Sequence, residues 1–321
     1  MTEIQIQPSI VYDVTTIGDA YVEMRSHSTS MLEAKTFERF IAGSAAQIAL
    51  SCAMLGKKAA IIASVGADAM GTFVQTTFRN ARVDVSGLQF SREHSTSLLF
   101  TARALRSLQT SYYRLADVNL HNTKEHVALA QSSGIIHASG FCLWRHPSRH
   151  SIFEILRLTK KYDRITVLNP FYEPALWRDR DEAFEVMKKT LQFADIATPT
   201  IDDAEHLFGK LPREEYVRRY HEMGAKEVVL LMGRDGCFYS KGEEMTRIPA
   251  CPSRIIDPSG VTDAWHAGFY CALRSGKEKI QAAQFGNAVA AYALQQPGTL
   301  AVLPSADEIA QKFLKKNFDE I

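Results

Sequence analysis

A chain of 321 residues, 46% hydrophobic and 23% charged, is long enough for one large α/β domain or two smaller ones and has the composition of a soluble globular protein. Its formal net charge of +1 excludes the broad basic surface of a nucleic-acid or membrane-surface binder. The five cysteines (Cys52, Cys142, Cys237, Cys251 and Cys271) form no CxxC pair and no metal-ligand rhythm, so they read as buried thiols of a reducing compartment, by default the cytoplasm. The amino-terminal MTEIQIQPS lacks the apolar run of a signal peptide, and no stretch approaches the ~18 apolar residues of a membrane helix.

From residue 44 onward, helical and strand patterns alternate. Ser44 to Leu55 has apolar residues at helical spacing and stops at Gly56. Lys57 to Val65 reads as a buried strand, and Ala69 to Ala81 as a helix. Helix is expected over Lys124–Gln131, Pro147–Tyr162, Glu182–Phe193 and Arg213–Met223. Strand is expected over Gly134–Ala138, Ile165–Leu168, Asp195–Ala197 and Glu227–Met232. Apolar strands alternating with amphipathic helices predict a mostly parallel sheet covered on both faces, with ligands at the carboxyl ends of its strands. Two segments, about 19–41 and 95–120, carry strand-like pieces without crossover helices. They fit a small β lid, or edge hairpins without a function.

The segment Asp257-Pro258-Ser259-Gly260-Val261-Thr262-Asp263 is the most informative. A strand-like approach meets Pro and Gly, and a helical pattern then runs through Leu273. Unpaired N–H groups at a helix start, with the helix dipole behind them, make a phosphate cradle. Asp263 falls in the first turn, where it is either a helix cap or a base that accepts a hydroxyl proton.

The same segment, continuing through Ala264, Ala267, Gly268 and Phe269, resembles D-T-T-G-A-G-D-A-F-x-A-G-F, the signature of the ribokinase-like (phosphofructokinase-B type) carbohydrate kinases. Other stretches resemble that family in order along the chain. Gly18 to Glu23 is similar to G-E-x-x-x-D, and Ala42 to Ala49 to G-G-x-x-x-N-x-A. Thr200 to Glu205 resembles N-x-x-E-x-E, and Leu231 to Gly236 resembles T-x-G-x-x-G. Phe285 to Ala291, with Pro297-Gly298, is similar to the family's carboxy-terminal nucleotide helix and turn. Tyr112 to Arg114 and Asn169 to Trp177 resemble segments of 2-keto-3-deoxygluconate kinases, and Asn169-Pro170-Phe171 also resembles the nucleoside kinase branch.

The resemblance implies a three-layer α/β/α fold with a small β lid, one kinase domain over 1–321, and a fructokinase-like, sugar-acid or nucleoside substrate. It implies Asp263 as catalytic base, with Gly260, Val261 and Thr262 forming the anion hole. Substrate contacts fall on Glu23, Gly43, Gln47, Tyr112, Arg114 and Asn169. Nucleotide contacts fall on Thr200, Leu231, Gly233, Gly236 and Asn287. ATP and Mg²⁺ are implied as cofactors, with Asp203 near the Mg²⁺ through water, and Asp257 beside a monovalent cation such as K⁺. Thr200 and Asp203 also suit a helix capping box, and the two roles are compatible. A homodimer is compatible with the sequence.

Ala42, Gln47, Glu173, Thr200, Leu231 and Thr262 are among the positions that depart from the family pattern. They leave room for a non-catalytic ligand-binding or regulatory protein on the same fold, but retention of Asp263 favours an active kinase. Glu173 stands where the sugar-acid kinases it resembles carry Arg, so a neutral sugar or nucleoside is expected over an acid.

Overall fold

The computed structural model describes residues 8–103, 108–298 and 302–321. Residues 104–107 of the expected lid segment, and residues 1–7 of the stretch searched for a signal peptide, lie outside the described residues. The chain opens with β1 (Tyr12–Ile17), crosses into β2 (Tyr21–Ser26) and β3 (Glu38–Ala42), and enters α1 (Ser44–Met54). Next come β4 (Ala59–Gly66), α2 (Ala69–Asn80), β5 (Asp84–Ser91), β6 (Leu98–Arg103) and β7 (Leu108–Tyr113). Alternation resumes with α3 (Lys124–Gln131), β8 (Ser133–Ser139), α4 (Ser148–Thr159) and β9 (Ile165–Asn169). It continues through α5 (Arg180–Leu191), β10 (Ile196–Ala197), α6 (Ile201–Phe208), α7 (Arg213–Glu222) and β11 (Glu227–Leu231). A hairpin of β12 (Cys237–Lys241) and β13 (Glu244–Ile248) precedes α8 (Val261–Arg274), α9 (Lys279–Ala293) and α10 (Ala306–Leu314).

Among the described residues, nine strands form the main sheet in the order β13-β12-β11-β10-β9-β8-β1-β4-β5. Every pair from β11 to β5 is parallel, and the β12–β13 hairpin adds an antiparallel edge. β4 shows why both faces are covered. Ala59, Ile61, Ala63 and Val65 join one apolar cluster with α1, α8 and α9, while Ala60 and Ile62 join a second cluster with α4 and α5. Alternate side chains of a strand point to opposite faces, so an all-apolar strand needs helices on both sides. The mostly parallel, three-layer arrangement expected from the sequence is the one observed.

Strand β5 and the β12–β13 hairpin have no counterpart among the sequence expectations. β5 carries Asp84, Ser86 and Gly87, which read locally as turn residues, and becomes a strand by pairing with β4. The hairpin edge is polar, with Glu244, Thr246 and Arg247 exposed.

Four strands form a second sheet, in the order β3-β2-β6-β7. Its inner face packs Tyr21, Leu99 and Tyr112 against Phe141 and Phe171, residues that follow β8 and β9 in the main sheet. An apolar sheet face thus covers the carboxyl ends of the central strands, as a lid would. Small contact areas over a ligand cleft belong to the low-stability end of a structure. Amide exchange across Leu98–Arg103 and Leu108–Tyr113 is therefore expected to slow by about tenfold or more when sugar and a non-hydrolysable ATP analogue are added. Equal protection with and without ligands would mark the sheet as a static edge.

Candidate active site

The site is built where the turn after β1 meets the first residues of α1 and α8. Gly43 precedes α1 with φ near 107°, and a Cβ there would lie 2.5 Å from the Asp19 carbonyl oxygen, so no other residue lets these segments touch. Their closeness lets the Ser44 N–H donate to Asp19 Oδ2 at 2.7 Å. The Ser44 hydroxyl in turn donates to Asp263 Oδ1 at 2.6 Å, joining α1 to the first turn of α8. Two carboxyls are thereby held beside one serine.

Removal from water governs both acids. Asp263 keeps some exposed surface but is crowded by protein. Desolvation pushes its pKa up to about 7, the Ser44 hydrogen bond opposes the rise, and the nearby Asp19 charge adds to it. Asp19 is fully buried and also raised by burial, with Arg114 and hydrogen bonds from Ser139 and Ser44 opposing.

Directly before α8, Gly260 adopts the left-handed region at φ 70°, and no side chain caps the helix. Val261 and Thr262 are half-buried, so the backbone donors of this first turn border the cleft. Behind the turn, His266 meets the Thr262 carbonyl through Nδ1 at 2.8 Å and Thr198 Oγ1 through Nε2 at 2.8 Å. Burial lowers the His266 pKa to about 4, with the Thr262 hydrogen bond opposing, so the ring is neutral at physiological pH. The Thr198 contact sets the start of α8 over the end of β10. Asp257 accepts from Ser259 N at 3.0 Å and Gly298 N at 3.1 Å, and lies 3.5 Å from the Arg25 guanidinium.

On the other side of Asp263, four buried side chains carry polar atoms without a partner: Asp19 Oδ1, Gln47 Oε1, Arg114 Nη1 and both amide atoms of Asn169. Leaving such a group unpaired costs about 1–3 kcal/mol, and a hydroxylated ligand would offset that. Gln47 donates its Nε2 to the Ile41 carbonyl at 2.6 Å. Arg114 pairs with Asp117 at 2.5 Å and lies 4.0 Å from the centroid of the Phe141 ring. Burial works most strongly against the Arg114 charge, but Asp117, Cys142 and Asp19 together outweigh it and the guanidinium stays charged. Tyr112 is half-buried, and its hydroxyl is pushed up to about 12, first by burial and then by the Glu173 charge.

Glu23, the expected contact for substrate hydroxyls, is engaged within the lid. It accepts from Arg25 Nε at 3.0 Å and Nη2 at 2.9 Å, and from Thr101 Oγ1 at 2.6 Å. The acid next to Ser44 and Asp263 is Asp19, which sequence reasoning did not single out. Its position directly after Gly18, where β1 leaves the sheet, was the available signal. Ser44 and Arg25 were also missed, because Asp263 and Asp257 are distant from them in sequence, and Asp117 was missed although Arg114 is three residues away.

The expected nucleotide residues line the β10–β11 end of the sheet. Thr200 caps α6 in a capping box with Asp203, and bridges to Leu231. Asp203 Oδ1 accepts from Tyr172 N at 2.8 Å, and Oδ2 from Thr200 N at 3.0 Å and Thr200 Oγ1 at 2.6 Å. Gly233 and Gly236, both at positive φ, flank the turn into β12. Asn287 accepts from Trp265 Nε1 at 2.9 Å and donates to the Pro249 carbonyl at 2.9 Å, tying α9 to α8. Among the described residues no group of three His, Cys, Asp or Glu side chains could hold a metal, and no helix is long and apolar enough to cross a membrane. A surface groove lined by Lys58, Arg79 and Arg82 lies at the opposite end of β1, β4 and β5.

A half-buried acid at an uncapped helix start, beside buried polar groups without partners and a second small β sheet, suits a small-molecule phosphotransferase of the ribokinase-like class. Residues 11–306 match the pfkB family carbohydrate kinases, and the chain belongs to that family. It is thus a carbohydrate kinase, an ATP-dependent phosphotransferase. It is 32% identical over 307 residues to an ATP-dependent 6-phosphofructokinase of Thermoanaerobacterium thermosaccharolyticum, covering 95% of each chain. A 5-dehydro-2-deoxygluconokinase of Halalkalibacterium halodurans is 28% identical, with 93% of each chain covered. The fructokinase of Halothermothrix orenii superposes with a TM-score of 0.77 at 29% identity, covering 89% of this chain and 100% of that one. A ribokinase-like Escherichia coli structure with ATP and Mg²⁺ reaches a TM-score of 0.83 at 19% identity, over 95% and 99%, which speaks for the fold alone.

The raised Asp263 pKa fixes the sign of a stability effect. Its folded value near 7 exceeds the unfolded value of about 4, so its contribution is fully present below about pH 4 and is lost as pH rises through about 7. Asp263→Asn, which cannot ionise, is expected to gain in melting temperature relative to the parent between about pH 4 and 8. A pH-independent difference would show that the carboxyl is not desolvated.

Proposed function

We propose that this kinase moves the γ-phosphoryl group of ATP to a hydroxyl of a neutral sugar or sugar-like substrate, with Asp263 as general base. The observation that carries this reading is the placement of the Asp263 carboxylate, with a pKa near 7, in the first turn of a helix whose start no side chain caps. A base poised near the working pH accepts a hydroxyl proton as the oxygen attacks phosphorus. Backbone N–H groups from Gly260 to Thr262 stabilise charge developing on the transferred group. Gly43 lets the substrate approach the backbone, while Asp19, Gln47, Arg114 and Asn169 bind its hydroxyls, and Tyr112 closes the cleft from the lid. Thr200, Leu231, Gly233, Gly236 and Asn287 shape the nucleotide end.

The oxygens of Asp203 are already engaged, so Asp203 would hold a Mg²⁺ ion only through water, where the ion would offset charge on the phosphates. Asp257 already faces a guanidinium, and K⁺ has no part in this proposal.

Charge selects the substrate class. Asp19, Asp117, Asp263 and Glu173 surround the cleft, against Arg114, which Asp117 already neutralises. A carboxylate or phosphate on the substrate would meet like charge in a low-dielectric site. Fructose or ribose, with adenosine as a further neutral candidate, is expected to exceed 2-keto-3-deoxygluconate and fructose 6-phosphate in kcat/KM. An anionic substrate ahead by tenfold or more sinks this part of the reading.

Asp263→Asn is expected to slow turnover by ~10²–10⁴-fold with ATP binding retained. The parent's activity should fall on the acid side with an apparent pKa near 7, as the carboxyl takes up a proton. Turnover of the Asn variant close to the parent's, with any accepted substrate, removes Asp263 as base.

A further inference from the structure

Arg25 lies on β2 of the lid, and its guanidinium is shared between two elements that otherwise belong to different parts of the molecule. One edge faces Glu23, through Nε at 3.0 Å and Nη2 at 2.9 Å. The remaining Nη1 lies 3.5 Å from Asp257 Oδ2. The lid holds the guanidinium from two further strands: Thr101 of β6 donates to Glu23 at 2.6 Å, and the Phe40 ring of β3 has its centroid 5.3 Å from the Arg25 guanidinium carbon. Beyond Asp257, the same carboxylate accepts from Ser259 N, one residue before Gly260, and from Gly298 N, beyond the end of α9.

We infer that Arg25 is a positioning residue that couples the lid to the loop at the start of α8, so that the loop reaches its working geometry when the lid is down. The inference rests on the reading of that helix start as the phosphate cradle. The planar fork of Arg suits the task, because one edge can pair with a carboxylate in two contacts while another nitrogen serves a second acid. A lysine presents a single point charge and cannot hold both carboxylates in this way. When the lid lifts, Glu23 and Arg25 leave together. Asp257 then no longer has the Arg25 guanidinium within 3.5 Å, and the loop that carries it is released from the lid. Binding of sugar beneath the lid thus prepares the site that receives the phosphoryl group, and ATP alone leaves it loose.

The test is kinetic. Arg25→Ala is expected to lower kcat by about ten- to a hundredfold, the scale of a small misplacement of catalytic groups, with KM for ATP little changed. Added guanidinium chloride at non-denaturing concentration should restore about half of the logarithmic effect, a gain of about three- to tenfold. Arg25→Lys should lose kcat without a change in melting temperature. In a double-mutant cycle with Asp257→Asn, the double variant should be no slower than the slower single one. Parent-like turnover of Arg25→Ala, losses that multiply in the cycle, or a loss that guanidinium fails to rescue in a folded variant would each overturn the inference. Should Arg25→Ala not fold, Arg25→Lys and the cycle built on it decide. Asp263→Asn run alongside separates the two readings: its full activity would remove the base and leave the coupling to stand or fall on the Arg25 data.

Discussion

The hydrogen-bonded knot of Asp19, Ser44 and Asp263 is the constraint around which the site is assembled. Two acids in a partly dehydrated space repel each other, and each resists ionisation there. The structure offsets this with the Ser44 amide for one acid and the Ser44 hydroxyl for the other. Both acids also lie at helix starts, α1 and α8, whose dipoles favour negative charge. What remains is an acid whose proton affinity sits near neutrality, the property a base needs and a purely structural carboxylate does not.

From that knot the sheet divides the labour. The β9-β8-β1 side carries Asn169, Ser139 and Asp19, and the β10-β11 side carries Thr200 and Leu231. The first turn of α8 lies between them, held over β10 by the neutral His266. The Asp19 and Asn169 side keeps polar atoms unpaired at a cost in stability, whereas Asp203 and Asn287 are engaged by hydrogen bonds. Unpaired buried groups concentrate where a ligand completes them, and paired ones where the frame must be stiff.

The lid belongs to the same economy of charge. Its underside is aromatic, which seals the cleft without competing for the substrate's hydroxyls. One charged contact with the body runs through Arg25, to a carboxylate that accepts from the backbone before α8, and another places Arg39 of β3 over the Phe73 ring of α2 at 3.9 Å.

Local features were legible in the sequence. The apolar run of β4, the helix beginning after Gly260 with Asp263 in its first turn, and the Thr200–Asp203 capping box all depend on neighbours a few residues away, so periodicity and turn chemistry revealed them. The ordered motifs from Gly18 to Gly298 pointed to the family for the same reason. Pairings across long stretches of chain were decided by tertiary structure. Ser44 and Asp263 are 219 residues apart, and nothing near either one announces the other. Whether Glu23 faced the substrate or Arg25 depended on the pairing of β2 with β6, which brings Thr101 to it. β5 is a strand because β4 offers it an edge, not because Asp84, Ser86 and Gly87 favour one. A sequence carries its short-range preferences openly, whereas the partner of a buried charge is chosen only when the folded chain removes the water that would otherwise serve.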